Sequence, residues 1–207
     1  LVFPQATKKF NNLFEEMISK SCIDEFLDKS LGSYEIASLE KVVFILLENQ
    51  KVEKYLKNYL KKIDEIKSYE ILSLKKEKSG SICTTLMALP VLKGKKVIIS
   101  ALDQIIGEKL DFDSKYFNGD HDIISPIYPS EDPSLSYILK DDDENVIQVF
   151  EKRLVSNDAI LGVYLIKDFS LFYKSCHELL IKYKGFKNRI FYTSDVINHY
   201  LGGGFKC

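Results

Sequence analysis

The sequence predicts an α/β fold, a Rossmann-like and mostly parallel sheet flanked by helices, joined to a mixed-sheet substrate-binding region. Three observations carry this. Val42-Val43-Phe44-Ile45-Leu46-Leu47 is a continuous apolar run of strand length, which suits a strand covered on both faces. Strand-like and helix-like patterns alternate from there to Ala101, the order of right-handed βαβ units. With 207 residues, 45% hydrophobic and 12% aromatic, the chain can bury one full-sized core.

Leu1-Val2-Phe3 opens the chain as a short apolar run, followed by Pro4-Gln5-Ala6. Phe10, Leu13, Phe14, Met17 and Ile18 repeat at the three-four spacing of one helix face. After the Lys41–Leu47 strand, Val52, Tyr55, Leu56, Tyr59, Leu60 and Ile63 mark an amphipathic helix. Tyr69–Leu74 reads as a strand, Gly80–Leu92 as a helix and Lys96–Ala101 as the next strand.

Beyond Asp103 the texture changes, with Gly119, Pro126, Pro129 and Pro133 around the short runs Ile123-Ile124 and Ile127-Tyr128. Leu135–Leu139 and Val146–Phe150 flank an acidic stretch, Asp141 to Glu144, and read as a hairpin. A solvated turn explains those carboxylates, because they lack the alternating spacing and glycine of a calcium loop. Ala159–Ile166 is expected to be one strand. Asp168 is placed to cap a helix carrying Phe169, Phe172, Cys176 and Leu179, and Ser194 to cap a last helix ending at Gly202-Gly203-Gly204. No linker separates domains, so we expect one domain, with a nucleotide-binding half over 1–106 and an acceptor-binding half over 107–207.

Lys and Arg number 29 against 30 Asp and Glu, a formal charge of -1, so no global field attracts nucleic acid or an anionic membrane. The longest uncharged stretch, Ser79 to Leu92, is too short and polar to span a bilayer. No signal-like segment opens the chain, which points to the cytoplasm. The chain begins on Leu1 and not Met, so residues upstream are expected. Cys22, Cys83, Cys176 and Cys207 form no C-x-x-C pair, and His121, His177 and His199 lack metal-ligand spacing, so idle thiols and ordinary histidines are expected.

In open parallel sheets ligands bind beyond the carboxyl ends of the strands. Asp103 follows such a strand, where a carboxylate can hold a magnesium ion carried in by a nucleotide; a simple turn start accounts for it equally well. Gly80-Ser81 opens a helix, where exposed amides bind anions, although a plain cap explains it too. Glu151-Lys152 follows the Val146–Phe150 strand. A carboxylate there grips hydroxyls and an ammonium balances phosphate, yet adjacent residues at a strand end ordinarily diverge to opposite faces.

Taken in order, these segments resemble the sugar-phosphate nucleotidyltransferase family, and within it the bacterial capsule and lipopolysaccharide members. Ser79-Gly80-Ser81-Ile82-Cys83-Thr84-Thr85-Leu86 with Leu102-Asp103-Gln104-Ile105-Ile106 is similar to the family's base-binding turn, helix, and strand ending in an N-x-D-Q-like motif. Ser136-Tyr137, Val149-Phe150-Glu151-Lys152, Val155-Ser156-Asn157-Asp158-Ala159 and Gly162-Val163-Tyr164 look like its S-Y, V-x-E-K, I-S-x-x-A and G-x-Y series. Phe191 to Asn198 resembles the segment ending its substrate lobe.

The resemblance implies an enzyme that uses Mg2+ to join a nucleoside triphosphate to a sugar 1-phosphate with release of pyrophosphate, for surface polysaccharide synthesis. It implies Asp103 as metal ligand, Asp103 and Lys152 as catalytic residues, and Pro4, Gln5, Ala6, Gly80, Ser81 and Asp103 on the nucleotide. Glu151, Lys152, Gly162 and Asp195 fall to the sugar phosphate. A second copy of the chain is a further expected partner. The alternative is a non-catalytic, regulatory paralogue that binds nucleotide or sugar phosphate.

The family's P-x-A-G-x-G-x-R-F loop, which wraps the triphosphate in amides, has no counterpart here, because Thr7-Lys8-Lys9-Phe10 follows Ala6 at once. The sequence also ends before the region where the family usually supplies a second metal carboxylate. We expect residues to be missing between Ala6 and Thr7, which would separate their Cα atoms well beyond about 3.8 Å. A direct bond demotes the chain to a loop-less binder ahead of the enzyme.

Overall fold

The computed structural model describes residues 1–107, 109–110, 119–184 and 189–207. Its main sheet has six strands, β1 (Val2–Gln5), β2 (Val42–Leu47), β3 (Tyr69–Leu74), β4 (Val97–Ser100), β5 (Ile123–Ile124) and β10 (Val163–Ile166), in the order β3-β2-β1-β4-β10-β5. The four strands from the first half are parallel, while β10 and β5 join antiparallel. A second sheet of β6 (Ile127–Pro129), β7 (Tyr137–Lys140), β8 (Val146–Phe150) and β9 (Asp158–Ile160) runs in the order β6-β9-β7-β8. The mostly parallel sheet flanked by helices, joined to a second sheet, is the architecture that the sequence pattern predicts; the second sheet, expected to be mixed, is antiparallel in every pair.

Period-two alternation sorts each central strand between two cores. Phe3, Val42, Phe44, Leu46, Ile98 and Leu165 face one side, packed by α1 (Lys8–Ser19), α2 (Ile23–Gly32) and α3 (Gln50–Leu60). Val2, Val43, Ile45, Val97, Ile99 and Ile166 face the other. They meet α4 (Ser81–Thr85), α5 (Leu89–Leu92), α6 (Phe169–Lys182), α7 (Thr193–Gly202) and the second sheet. Cover on both faces is why β2 is apolar at every position.

Four local expectations change. Gly80–Leu92 is not one helix: α4 passes through a 3-10 turn, Leu86–Ala88, into α5, because Pro90 cannot donate to a continuing α-helical ladder. Ala159–Ile166 is not one strand: Gly162, at φ +84°, turns the chain so that β9 and β10 enter different sheets. The last helix is capped not by Ser194 but by Tyr192, with Asp195 accepting from the Tyr192 amide at 3.0 Å. At the fourth place, Ala6 is bonded directly to Thr7, whose amide donates to Gln5 O at 2.8 Å and whose hydroxyl accepts from Phe10 N at 3.1 Å to cap α1.

Two links tie the α7 segment to the rest. The Asn198 side-chain amide pairs with both the N–H and the C=O of Val149, at 2.8 and 2.7 Å, and so covers part of the free edge of β8. Phe191 N donates to Ser79 O at 3.0 Å, which lays the Phe191 backbone across Gly80. A Cβ on Gly80 would stand 2.3 Å from Phe191 O, and the backbone there has φ +104°. Gly80→Ala is therefore expected to lower stability by about 2–4 kcal/mol. Gly94→Ala, at φ +71° with nothing within 4 Å of the added carbon, is expected to cost only about 1 kcal/mol. Equal losses in urea titrations of the two variants would show that the Phe191 contact is slack.

Candidate active site

Strand order reverses between β1 and β4, and in such sheets the crevice at the carboxyl ends beside that reversal takes the ligand. Ala6-Thr7 and the turn after β4 lie there. Gln104 N donates to Ala101 O at 3.2 Å, closing a tight turn with Asp103 exposed on it. That turn is held from below by α2 and the residues after it. Ser30 Oγ donates to Leu102 O, Tyr34 Oη to Ser100 Oγ, both at 2.5 Å, and Ile106 N to Ser33 Oγ at 2.8 Å. Burial pushes the Tyr34 phenol up to about 12, so it stays a neutral donor.

Gln104 reaches the second half of the chain. A Cβ on Gly162 would lie 3.4 Å from Gln104 Nε2, so the Gln104 side chain lies over this glycine at the start of β10. Antiparallel pairing of Val163 with Ser100 brings the two segments to one end of the sheet.

Glu151 and Lys152 do not diverge as ordinary strand neighbours. Lys152 takes φ +51°, a left-handed conformation that costs a non-glycine residue about 1–2 kcal/mol, and both side chains turn toward the start of α7. Glu151 Oε2 accepts from Ser136 Oγ at 2.6 Å and Ser194 Oγ at 2.8 Å. Lys152 Nζ lies 5.1 Å from the centre of the Tyr192 ring. Behind them Tyr164 is buried, with a hydrogen bond to Thr193; burial raises its phenol above the ordinary value, and the nearby Glu151 charge adds to this.

The other expected residues are placed differently. Ala6 is buried, backbone included, while Pro4 and Gln5 are half-buried in β1. Ser81 is exposed at the start of a five-residue helix, and the close backbone approach that Gly80 permits is to Phe191. Asp195 serves the α7 cap and pairs with Arg189 at 2.9 Å, and it borders a separate cleft between α6 and α7 with Glu178 and His199. Ser136, Ser194, Gln104 and Tyr192 belong to the site without having been singled out from sequence. Their signal lay in the S-Y, D-Q and Tyr192-Thr193-Ser194 segments themselves.

Among the described residues no three His, Cys, Asp or Glu side chains converge as a metal site, and all four cysteines are free. Asp103, exposed on its turn, is a carboxylate that could hold a magnesium ion arriving on phosphates, since such an ion needs only one or two protein carboxylates. The acidic hairpin residues form a turn in which Asp141 Oδ1 accepts from Asp143 N and Asn145 N. Among the described residues no helix is long and apolar enough to cross a membrane.

The sequence matches no protein-family model and no curated protein. Solved structures do share its fold. The nucleoside-diphosphate-sugar pyrophosphorylase from Vibrio cholerae RC9 superposes with a TM-score of 0.74 at 17% identity, over 87% of this chain and 77% of that one. A UDP-glucose pyrophosphorylase complexed with UDP-glucose gives 0.62 at 13%, over 86% and 75%. The inositol-1-phosphate CTP transferase from T. maritima gives 0.57 at 14%, over 88% and 70%. The chain thus has the fold of the nucleotide-sugar pyrophosphorylases and sugar-phosphate nucleotidyltransferases.

Proposed function

We propose that the crevice binds a nucleoside triphosphate beside Asp103 and a sugar 1-phosphate, or a similar small phosphate ester, beside Glu151 and Lys152, and that nucleotidyl transfer joins them. The observation that carries this is the seating of Gln104 over Gly162, which sets the Asp103 turn against the acceptor half. An acceptor phosphate oxygen attacks the α-phosphorus, the new P–O bond forms, and the bond to pyrophosphate breaks. Both reactants are anionic, so the protein's task is alignment and charge neutralisation. Bound magnesium supplies positive charge on the triphosphate, and Asp103 is the residue to hold it. Lys152 meets the acceptor phosphate and Glu151 its hydroxyls. Gly80 and Ser81 stand beside the base, and Pro4, Gln5 and Ala6 line the strand end next to the phosphates. The resemblance of the Ser136–Tyr164 series supports a cytoplasmic role in surface polysaccharide synthesis.

The direct Ala6–Thr7 bond supports a second reading, a non-catalytic, regulatory paralogue that binds nucleotide or sugar phosphate. Without the amide-rich loop, both ligands bind and no transfer follows. A panel of nucleoside triphosphates and sugar 1-phosphates with MgCl2, followed by pyrophosphate release and by calorimetry, separates the two. Release establishes transfer, heat without release establishes the binder, and neither signal removes both.

If release is seen, Asp103→Asn is expected to abolish nearly all magnesium-dependent turnover and leave the melting temperature unchanged, because the side chain is exposed. A near-normal rate removes Asp103 from the metal. Lys152→Met is expected to raise the sugar phosphate requirement about tenfold or more, the cost of one charge-assisted contact, with little change for nucleotide. The opposite pattern means that the two ligand sites are reversed.

A further inference from the structure

We infer that Ser194 and Ser136 are positioning residues of the acceptor site: they hold Glu151 by its Oε2 atom, so that Oε1 is the oxygen offered to a ligand hydroxyl. This rests on the acceptor reading proposed above. The two serines come from different elements. Ser136 immediately precedes β7 and is fixed by its own carbonyl, which accepts from Ile160 N at 2.8 Å. Ser194 is the second residue of α7 and only 3% exposed.

Tyr192 and Asp195 cap the helix, Asp195 accepting from the Tyr192 amide, and the Ser194 hydroxyl, two residues past the cap, donates to the carboxylate. A carboxylate has about four acceptor positions on two oxygens, and each serine has one proton to give. Both protons are spent on Oε2, and among the described residues Oε1 takes no hydrogen bond. A glutamate with three rotatable bonds is thereby held in one orientation before a ligand arrives. The ordering cost of the side chain is met in folding and not in binding. Because Ser194 and the ring beneath Lys152 both stand at the start of α7, the helix sets the two acceptor groups together.

The test uses the full chain and calorimetry with α-D-glucose 1-phosphate and its 2-, 3-, 4- and 6-deoxy analogues. In the unaltered protein, loss of the hydroxyl that Glu151 accepts is expected to weaken binding about tenfold or more. In Ser194→Ala the parent should bind about three- to tenfold more weakly, and that deoxy penalty should shrink to about twofold, since a loose carboxylate discriminates less. Ser194→Thr, which keeps the donor, should retain the original penalty, and nucleotide affinity should not change. Ser136→Ala approaches the same oxygen from another element and should act in the same direction, so a folding defect in one variant is caught by the other.

If Ser194→Ala and Ser136→Ala weaken all five sugars by one common factor, or leave the penalty intact, positioning is overturned while the acceptor site stands. If the unaltered protein binds all five sugars equally, Glu151 does not read a hydroxyl and the positioning role falls. If it binds none of them, the acceptor reading falls and this inference with it.

Discussion

The backbone of Phe191 lying across Gly80 is the contact on which the geometry of the site depends. Gly80 begins α4, between β3 and β4, in the half assigned to nucleotide, and Phe191 leads into α7. Only a residue without Cβ permits the approach, since an added carbon would lie 2.3 Å from Phe191 O. Once Phe191 is fixed, the next residues fall into place by short-range bonding. Tyr192 caps α7 and lies under Lys152, Thr193 pairs with Tyr164, Ser194 holds Glu151, and Asn198 closes the edge of β8. One close contact between distant segments thus orients Glu151 and Lys152 relative to the α4 segment. That contact makes Gly80 a structural glycine, whatever else it meets.

The central strands and long helices were legible because their signals are local. The unbroken apolar run of β2 reports cover on both faces, and the spacing of Phe10, Phe14 and Ile18 reports one face of α1. The split at Gly162 was not legible in the same way. Asp158 to Ile166 is rich in strand formers throughout, and only the positive φ at one glycine separates two strands belonging to different sheets. At Pro90 the sequence carries two opposed signals, a proline that ends a helical ladder and an apolar pattern that continues across it.

Helix α2 was missed although Ile23, Phe26, Leu27 and Leu31 have helical spacing. The separation from α1 is only Lys20 to Cys22, with Ser21 in a left-handed conformation at φ +55°, so the two helices merge in a sequence pattern. That omission matters for the site more than for the fold. The Ser30 hydroxyl at the end of α2, with Ser33 and Tyr34 just beyond it, anchors the backbone on either side of Asp103, and no feature of the D-Q segment alone announces those partners. Likewise Glu151 and Lys152 stood out as a residue pair, while the serines that fix the carboxylate lie 15 and 43 positions away in sequence. Residue types with reactive groups are visible one at a time. Their supports become visible only when the chain has closed.

The direct passage from β1 into α1 changes what the nucleotide half can offer. A glycine-rich loop would present several amides to a triphosphate, whereas the direct Ala6–Thr7 bond is followed at once by the start of α1, where Thr7 Oγ1 already accepts from Phe10 N. Its first turn contains no acidic residue and begins with Lys8 and Lys9, which favours an anion there. The Glu77 carboxylate, from the loop after β3, already accepts a hydrogen bond from the Lys8 amide. A nucleotide phosphate reaching this helix start therefore exchanges one anion for another of higher charge, and gains less than it would at a bare terminus. Under the proposed transfer, a triphosphate would also have to be held in line with the acceptor, so the two proposed readings part at the few residues where β1 becomes α1.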